Sequence, residues 1–163
     1  MGVLALIVIN KAGGLIYNRT FSDGLNQLNT NDYLVLAGTF HGVHAITARI
    51  DPSRKLANAQ HRQQAAANAG GAAVPNRPEP SSGLEVLESE NFRLQCFNTL
   101  TGIKFLLFTD TLQANVDVAM RKVYDLYSDY VMKNPFYQLE MPIRCESFNR
   151  KLNSYIREVN NSR

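Results

Sequence analysis

At 163 residues the chain has the size of one ordinary domain and can bury a single core without covalent staples. A hydrophobic fraction of 45% and a charged fraction of 19% are globular values and exclude a wholly disordered chain. The formal net charge of +3 is mild and its basic residues are scattered. The basic stripe with interleaved aromatics that marks a nucleic-acid binder is therefore missing.

Val3 to Asn10 is an unbroken apolar run rich in β-branched residues, the pattern of a central strand covered on both faces. Lys11-Ala12-Gly13-Gly14 supplies the glycines of a tight turn, and Leu15 to Phe21 reads as the returning strand. After the polar stretch Ser22 to Asn31, Thr30 or Asn31 can cap a helix. That helix carries Tyr33, Leu36 or Ala37, Phe40, Val43 or His44, and Thr47 at helical spacing until Asp51-Pro52 ends it. From residue 54 to residue 80 the composition changes to Ala, Asn, Gln and Gly and then to a proline-rich run. With so little to bury, this stretch reads as a low-complexity surface insertion, with a transient helix near Lys55 to Ala67 at most.

Order is expected to resume at Ser82-Gly83. Leu84, Val86 and Glu88 begin a short strand, and Phe92, Leu94 and Cys96 alternate with Arg93, Gln95 and Phe97 in the next. Thr99 to Gly102 is a hairpin turn before a second heavily apolar strand, Ile103 to Thr109. The two apolar strands are expected side by side in the middle of one sheet, with the half-polar strands nearer its edges. Asp110 with Gln113 resembles a capping pair opening a helix that carries Val116, Ala119 or Met120, Val123, Tyr127 and Tyr130. A last helix shows Phe148, Leu152, Tyr155 or Ile156, and Val159 on one face. The order is β-β-α-β-β-β-α-α, and a sheet apolar on both sides calls for one helix on one face and two on the other.

Reaction centres are hard to place. Gly13-Gly14 sits between two strands, and neither a P-loop nor a dinucleotide fingerprint occurs. His41 and His44 share a helical face without an evident third ligand, so packing or partner contact is the favoured reading. No nucleophile elbow exists, and Glu85, Glu88 and Glu90 alternate as a solvent-facing strand edge would. Cys96 and Cys145, far apart, read as reduced structural thiols. The apolar N-terminus is too short to span a bilayer, Leu6 stands where a myristoylation signal needs Ser or Thr, and the Asn18-Arg19-Thr20 sequon lacks a secretory signal. The expectation is a cytosolic protein with no enzymatic activity, no metal and no cofactor.

The segment Lys133 to Arg144 is the most informative part of the chain. Pro135 stops the preceding helix and Pro142 stiffens the exit. Between them Phe136, Tyr137, Leu139 and Met141 are a heavy apolar load for a connector, which must enter the core or meet a partner. The candidate contact residues are Lys133, Asn134, Pro135, Phe136 and Tyr137, with Glu140, Met141, Pro142, Ile143 and Arg144 as a second set. Tyr127 and Tyr130 fit the core stripe of their helix. Tyr124, beside Arg121, Lys122 and Asp125, falls partly off it and suits a contact surface.

Four ordered blocks carry a family resemblance: VINKAGGLIY at Val8 to Tyr17, SGLEVLE at Ser82 to Glu88, TLTGIKF at Thr99 to Phe105, and KNPFYQLEMPIRCE at Lys133 to Glu146. Together they resemble the sybindin-like subunits of the TRAPP tethering complex, across both ends and most of the chain outside the insertion. The resemblance implies a longin-type fold of mixed α/β (α+β) class with a five-stranded mixed sheet. It also implies a non-enzymatic core subunit of a multi-protein guanine-nucleotide exchange factor for a Rab GTPase in ER-to-Golgi and Golgi traffic. The implied partners are a smaller longin-like subunit, α/β subunits of the acyl-binding type and the Rab itself, on a peripheral complex at cis-Golgi and ER–Golgi membranes. Animal members of that family carry a PDZ-like module between the second strand and the first helix. Here only Phe21 to Asn29 joins them, and Lys55 to Pro80 enlarges a loop that is short in animal members.

Two other readings compete. A longin regulatory domain of a fusion SNARE would carry a heptad-rich segment and a tail anchor, which the sequence up to Arg163 does not contain, and a small coat-adaptor subunit would bind acidic-dileucine cargo. A small enzyme with an unrecognised site would be active without partners.

Overall fold

The two most apolar segments become neighbouring central strands, and the other elements are arranged around them. The computed structural model describes residues 2–23, 25–50, 52 and 83–162. In it β1 (Val3–Ile9) and β5 (Lys104–Thr109) pair antiparallel, from Val3 opposite Thr109 to Ile9 opposite Lys104. Every residue of both strands is buried, as strands covered on two faces require. β2 (Leu15–Thr20) flanks β1, β4 (Arg93–Asn98) flanks β5, and the short β3 (Val86–Glu88) forms the far edge, giving the order β2-β1-β5-β4-β3.

The mixed sheet expected from the resemblance is corrected in one respect: every neighbouring pair runs antiparallel. β2 and β3 do point the same way. The crossover through α1 (Thr30–Ile50) carries the chain from one edge of the sheet to the other, so those two strands never become neighbours. The insertion expected at 54–80 lies outside the described residues.

Alternation along the strands sorts two apolar layers. Leu4, Ala5, Ile7, Leu106 and Phe108 face α1, where Ala37 and Phe40 cover them. Val3, Leu6, Val8, Phe105 and Leu107 face the opposite layer, α2 (Val116–Tyr127) and α3 (Glu146–Asn161), whose Val123, Phe148, Leu152 and Ile156 are fully buried. Among the described residues one helix therefore lies on one face and two on the other, as the patterning requires.

Two caps differ from the sequence expectation. α1 is capped by Asn29, not by Thr30 or Asn31. The Asp32 amide donates to Asn29 Oδ1 at 2.8 Å, and the Asn29 amide donates to Asp32 Oδ2 at 3.3 Å, the reciprocal pair that needs an acid three residues after the cap. Asp110 and Gln113 do not open α2. The Gln113 amide donates to the Asp110 carbonyl in a turn that ends β5, and Asn115 then adopts a left-handed φ of 56° that interrupts any continuous helix. At its other end α2 passes into a π-helical turn over Ser128–Met132, with the Lys133 amide donating to the Ser128 carbonyl at 3.2 Å. Pro135 follows at once.

Candidate functional site: the proline-bracketed connector

The connector is built from local turns. Asn134 uses its side-chain oxygen to accept from the Phe136 amide at 3.1 Å, and its carbonyl accepts from Tyr137 at 3.1 Å. A second turn joins the Met141 amide to the Gln138 carbonyl at 3.3 Å, with Glu140 at φ 68°. The Tyr137 hydroxyl closes the loop on itself by donating to the Met141 carbonyl at 2.7 Å. Burial pushes that phenol above its ordinary pKa, so it stays a donor at neutral pH.

Two long-range bonds hold this unit to the sheet. The Ile143 amide donates to the Ile16 carbonyl on β2 at 2.8 Å, and Asn10 Nδ2 donates to the Glu140 carbonyl at 3.3 Å. Asn10 also accepts from the amides of Ala12 and Gly14, so one side chain shapes the β1–β2 turn and tethers the connector. Gly13 in that turn has φ +92°, and an added Cβ would stand 2.9 Å from the His41 ring; both facts demand glycine.

The apolar load divides. Ile143 is 6% exposed and joins the α2/α3 core, and Tyr137 is half-buried against the same cluster. Phe136 is 92% exposed, and Leu139 and Met141 also face outward. Pro135, Glu140, Pro142 and Arg144 are exposed around them, while Asn134 is half-buried and committed to its turn. Lys133 forms an exposed ion pair with Asp129 at 2.8 Å; the bond and charge of Asp129 raise its pKa. Such a pair contributes little to stability. Between Val131, Asn134, Phe136, Tyr137 and Met141 lies an open groove of about 330 Å³.

Tyr124 is not brought to this surface. Its ring packs edge-on against Phe97 at 5.5 Å and Phe105 at 6.1 Å, on the β4 side of α2.

Residues 3–159 match the model of the Sybindin-like family. The chain belongs to that family. It is 40% identical to a Dictyostelium discoideum protein named trafficking protein particle complex subunit 4, over 94% of this chain and 95% of the relative. Its identity to the Bos taurus protein of the same name is 41%, over 79% of this chain but only 48% of the relative, so it spans about half the length of that mammalian protein. A weaker likeness, 26% over 52% of this chain and 61% of the relative, links it to trafficking protein particle complex subunit 1 of Dictyostelium discoideum.

Sequence reasoning missed a second surface of this sybindin-like chain. α1 buries Ala37, Phe40, His44 and Ala48, yet Leu34, Val35, Val43, Ile46 and Ile50 are exposed along it. Gly38 and Gly42 are also exposed, with open space where a Cβ would stand. The signal was available: Thr30 to Ile50 is apolar nearly all round, whereas a surface helix should be half polar.

Behind α1 lies a basic cluster of Lys104, His41 and His44, in which the Glu85 carboxylate acts on His44. Lys104 is only 6% exposed, and among the described residues its ammonium reaches His41 Nδ1 and the Gly102 carbonyl, each at 3.5 Å. Burial depresses the Lys104, His41 and His44 pKa values, and the lysine charge adds to the effect on both histidines. His44 packs on Phe40, with ring centroids 6.1 Å apart. His44 is thus used for packing, while His41 contacts the Lys104 ammonium. Burial likewise pushes the Cys96 thiol up to about 12, leaving it unreactive. Among the described residues no three His, Cys, Asp or Glu stand close enough to hold a metal, and no helix is long and apolar enough to cross a membrane.

Proposed function

We propose that this chain is a core subunit of a trafficking protein particle complex, of the subunit-4 type, and that it acts by holding neighbours in place. The strong likeness to proteins of that name supports the assignment. The weaker likeness to subunit 1 supports a partner built on the same architecture. The outer face of α1 fits assembly: several large aliphatic side chains and two open glycines on one helix make the kind of apolar patch that stable interfaces cover. The remaining neighbours in this reading are subunits of the α/β acyl-binding type.

Within the assembly, the connector forms part of the surface that a Rab GTPase meets, and the complex promotes nucleotide exchange in ER-to-Golgi and Golgi traffic. Membrane association is peripheral and comes through the complex. Exchange of this kind requires no bond chemistry from the chain. A surface that favours the nucleotide-poor conformation of the GTPase accelerates loss of the nucleotide by differential binding. The observation that carries the contact reading is Phe136, an almost fully exposed aromatic on a loop whose backbone is fixed at both ends. Aromatics presented this way are the usual anchors of interfaces, because little entropy is lost when they dock. The test is Phe136→Ser in the reconstituted complex, with Rab nucleotide release measured by fluorescence. Slower release with unchanged assembly is expected; normal release would remove the connector from the contact surface.

A further inference from the structure

A second groove, independent of the connector, runs along the seam between the edge strand β2 and α3. Its larger part measures about 580 Å³ and is lined by Arg19, Glu146, Asn149, Arg150, Asn153 and Arg157 among others. A smaller part of about 140 Å³ continues past Arg19 and Arg157 toward Thr20 and Phe21. Three guanidinium groups thus converge on one seam with a single carboxylate, Glu146. The Lys133–Asp129 pair lies elsewhere, and among the described residues Arg19, Arg150 and Arg157 have no carboxylate oxygen within 4.0 Å.

The local reasons are simple. Arg150 and Arg157 are seven residues apart on α3 and so share a face, opposite the buried Phe148, Leu152 and Ile156. Arg19 follows Tyr17 by two along β2 and lies on the same side of the sheet, where the Tyr17 hydroxyl and Asn149 Oδ1 are bonded at 2.8 Å. Arg19 also acts on that phenol, opposing the burial that raises the Tyr17 pKa to about 12.

We propose that this seam binds an extended acidic segment of a partner protein, laid beside β2 with its carboxylates on Arg19, Arg150 and Arg157. Two features favour an extended peptide over a compact anion. First, among the described strands β2 is at the edge of the sheet, pairing with β1 alone. Its outer side already accepts one backbone donor, since the Ile143 amide bonds the Ile16 carbonyl, and this is the beginning of strand addition. Second, Arg150 and Arg157 are two helical turns apart, about 10 Å, between the roughly 7 Å and roughly 13 Å that separate same-face residues i, i+2 and i, i+4 of an extended chain, a mismatch that long arginine side chains can span. Acidic residues at alternate positions would all face the arginines, and the planar forks suit bidentate carboxylate pairing. The seam shares no residue with the connector groove, so its fate is separable from that of the Rab-contact reading.

The test uses the full chain and a fluorescein-labelled peptide of alternating glutamate and valine. Anisotropy should show saturable binding that weakens as salt is raised, and exchange of the Asn18 and Thr20 amides should slow in the complex. The double variant Arg150→Glu, Arg157→Glu alters only exposed side chains. It should keep the wild-type circular dichroism and melting temperature while losing at least about tenfold in affinity. Three results would overturn the proposal: equal binding of the glutamine–valine peptide, protection away from β2, or unchanged affinity of the double variant. Binding to phosphatidylserine vesicles but not to the glutamate peptide would overturn it too, assigning the arginines to a membrane.

Discussion

α1 and α3 face opposite sides of the same sheet, and their outward surfaces could hardly differ more. α3 keeps Phe148, Leu152 and Ile156 inside and offers Glu146, Arg150, Lys151, Arg157 and Glu158 to solvent. α1 is apolar inside and out, with Ile46 60% exposed and Ile50 71% exposed. A helix of the first kind is finished by its own domain. One of the second kind is finished only when another surface covers it, because water meets an aliphatic patch on an otherwise ordinary chain. Among the described residues the fold therefore has one layer that covers its own apolar surface and one that leaves apolar surface exposed, which the proposed reading assigns to assembly.

The largest test of that contrast is Phe148→Ala, which empties the self-sufficient layer. It should cost about 3–5 kcal/mol of stability, read by urea unfolding of the isolated chain. Ile143→Ala divides the connector along the same line. Its loss should cost about 2–5 kcal/mol, whereas Phe136→Ala should leave stability within about 0.5 kcal/mol. Equal effects for these two would mean that Phe136 is not free of the core. Ile46→Asp should leave the monomer within about 0.5 kcal/mol of wild type and weaken copurification with neighbouring subunits by about 2 kcal/mol or more. Normal assembly would erase the distinction between the two helices.

Smaller effects come from the basic cluster beneath α1. Among the described residues the Lys104 ammonium has no carboxylate oxygen within 4.0 Å; replacing such a buried ammonium removes a desolvation cost, so Lys104→Met should stabilise the fold by about 1 kcal/mol at neutral pH. A histidine whose native pKa is depressed binds its proton more readily in the unfolded chain. Its stability is complete above the ordinary value of 6.5 and falls as the pH drops below it toward the depressed native value. The melting temperature should therefore fall between about pH 7 and pH 5, and His44→Phe should flatten the slope. A melting temperature that rises on acidification would contradict the burial of this pair.

Much of the fold was legible because it rests on periodicity. Val3–Ile9 and Lys104–Thr109 had no polar face to show, so the centre of a sheet was the only place for them. Phe148, Leu152 and Ile156 marked the buried face of α3. The caps were less legible. Asn29 and Asp110 each belong to a set of neighbouring cap-competent residues, and which of them bonds depends on where the chain must turn. The connector was identified by its prolines and apolar load, but its division was not. Phe136 and Tyr137 are adjacent aromatics with the same composition signal, and opposite sides of one turn separate them.

The sequence by itself determined the elements, the two covered faces of the sheet, the sybindin-like family and the place where a helix must stop. Tertiary structure alone decided that every neighbouring pair of strands runs antiparallel, that Ile143 anchors while Phe136 points out, that α1 exposes a second apolar face, and that Arg19 lines one groove with Arg150 and Arg157. The physical reason is range. Periodicity and proline chemistry act over a few residues, whereas pairing an edge strand or burying an ammonium beside a histidine depends on groups that the chain brings together from far apart.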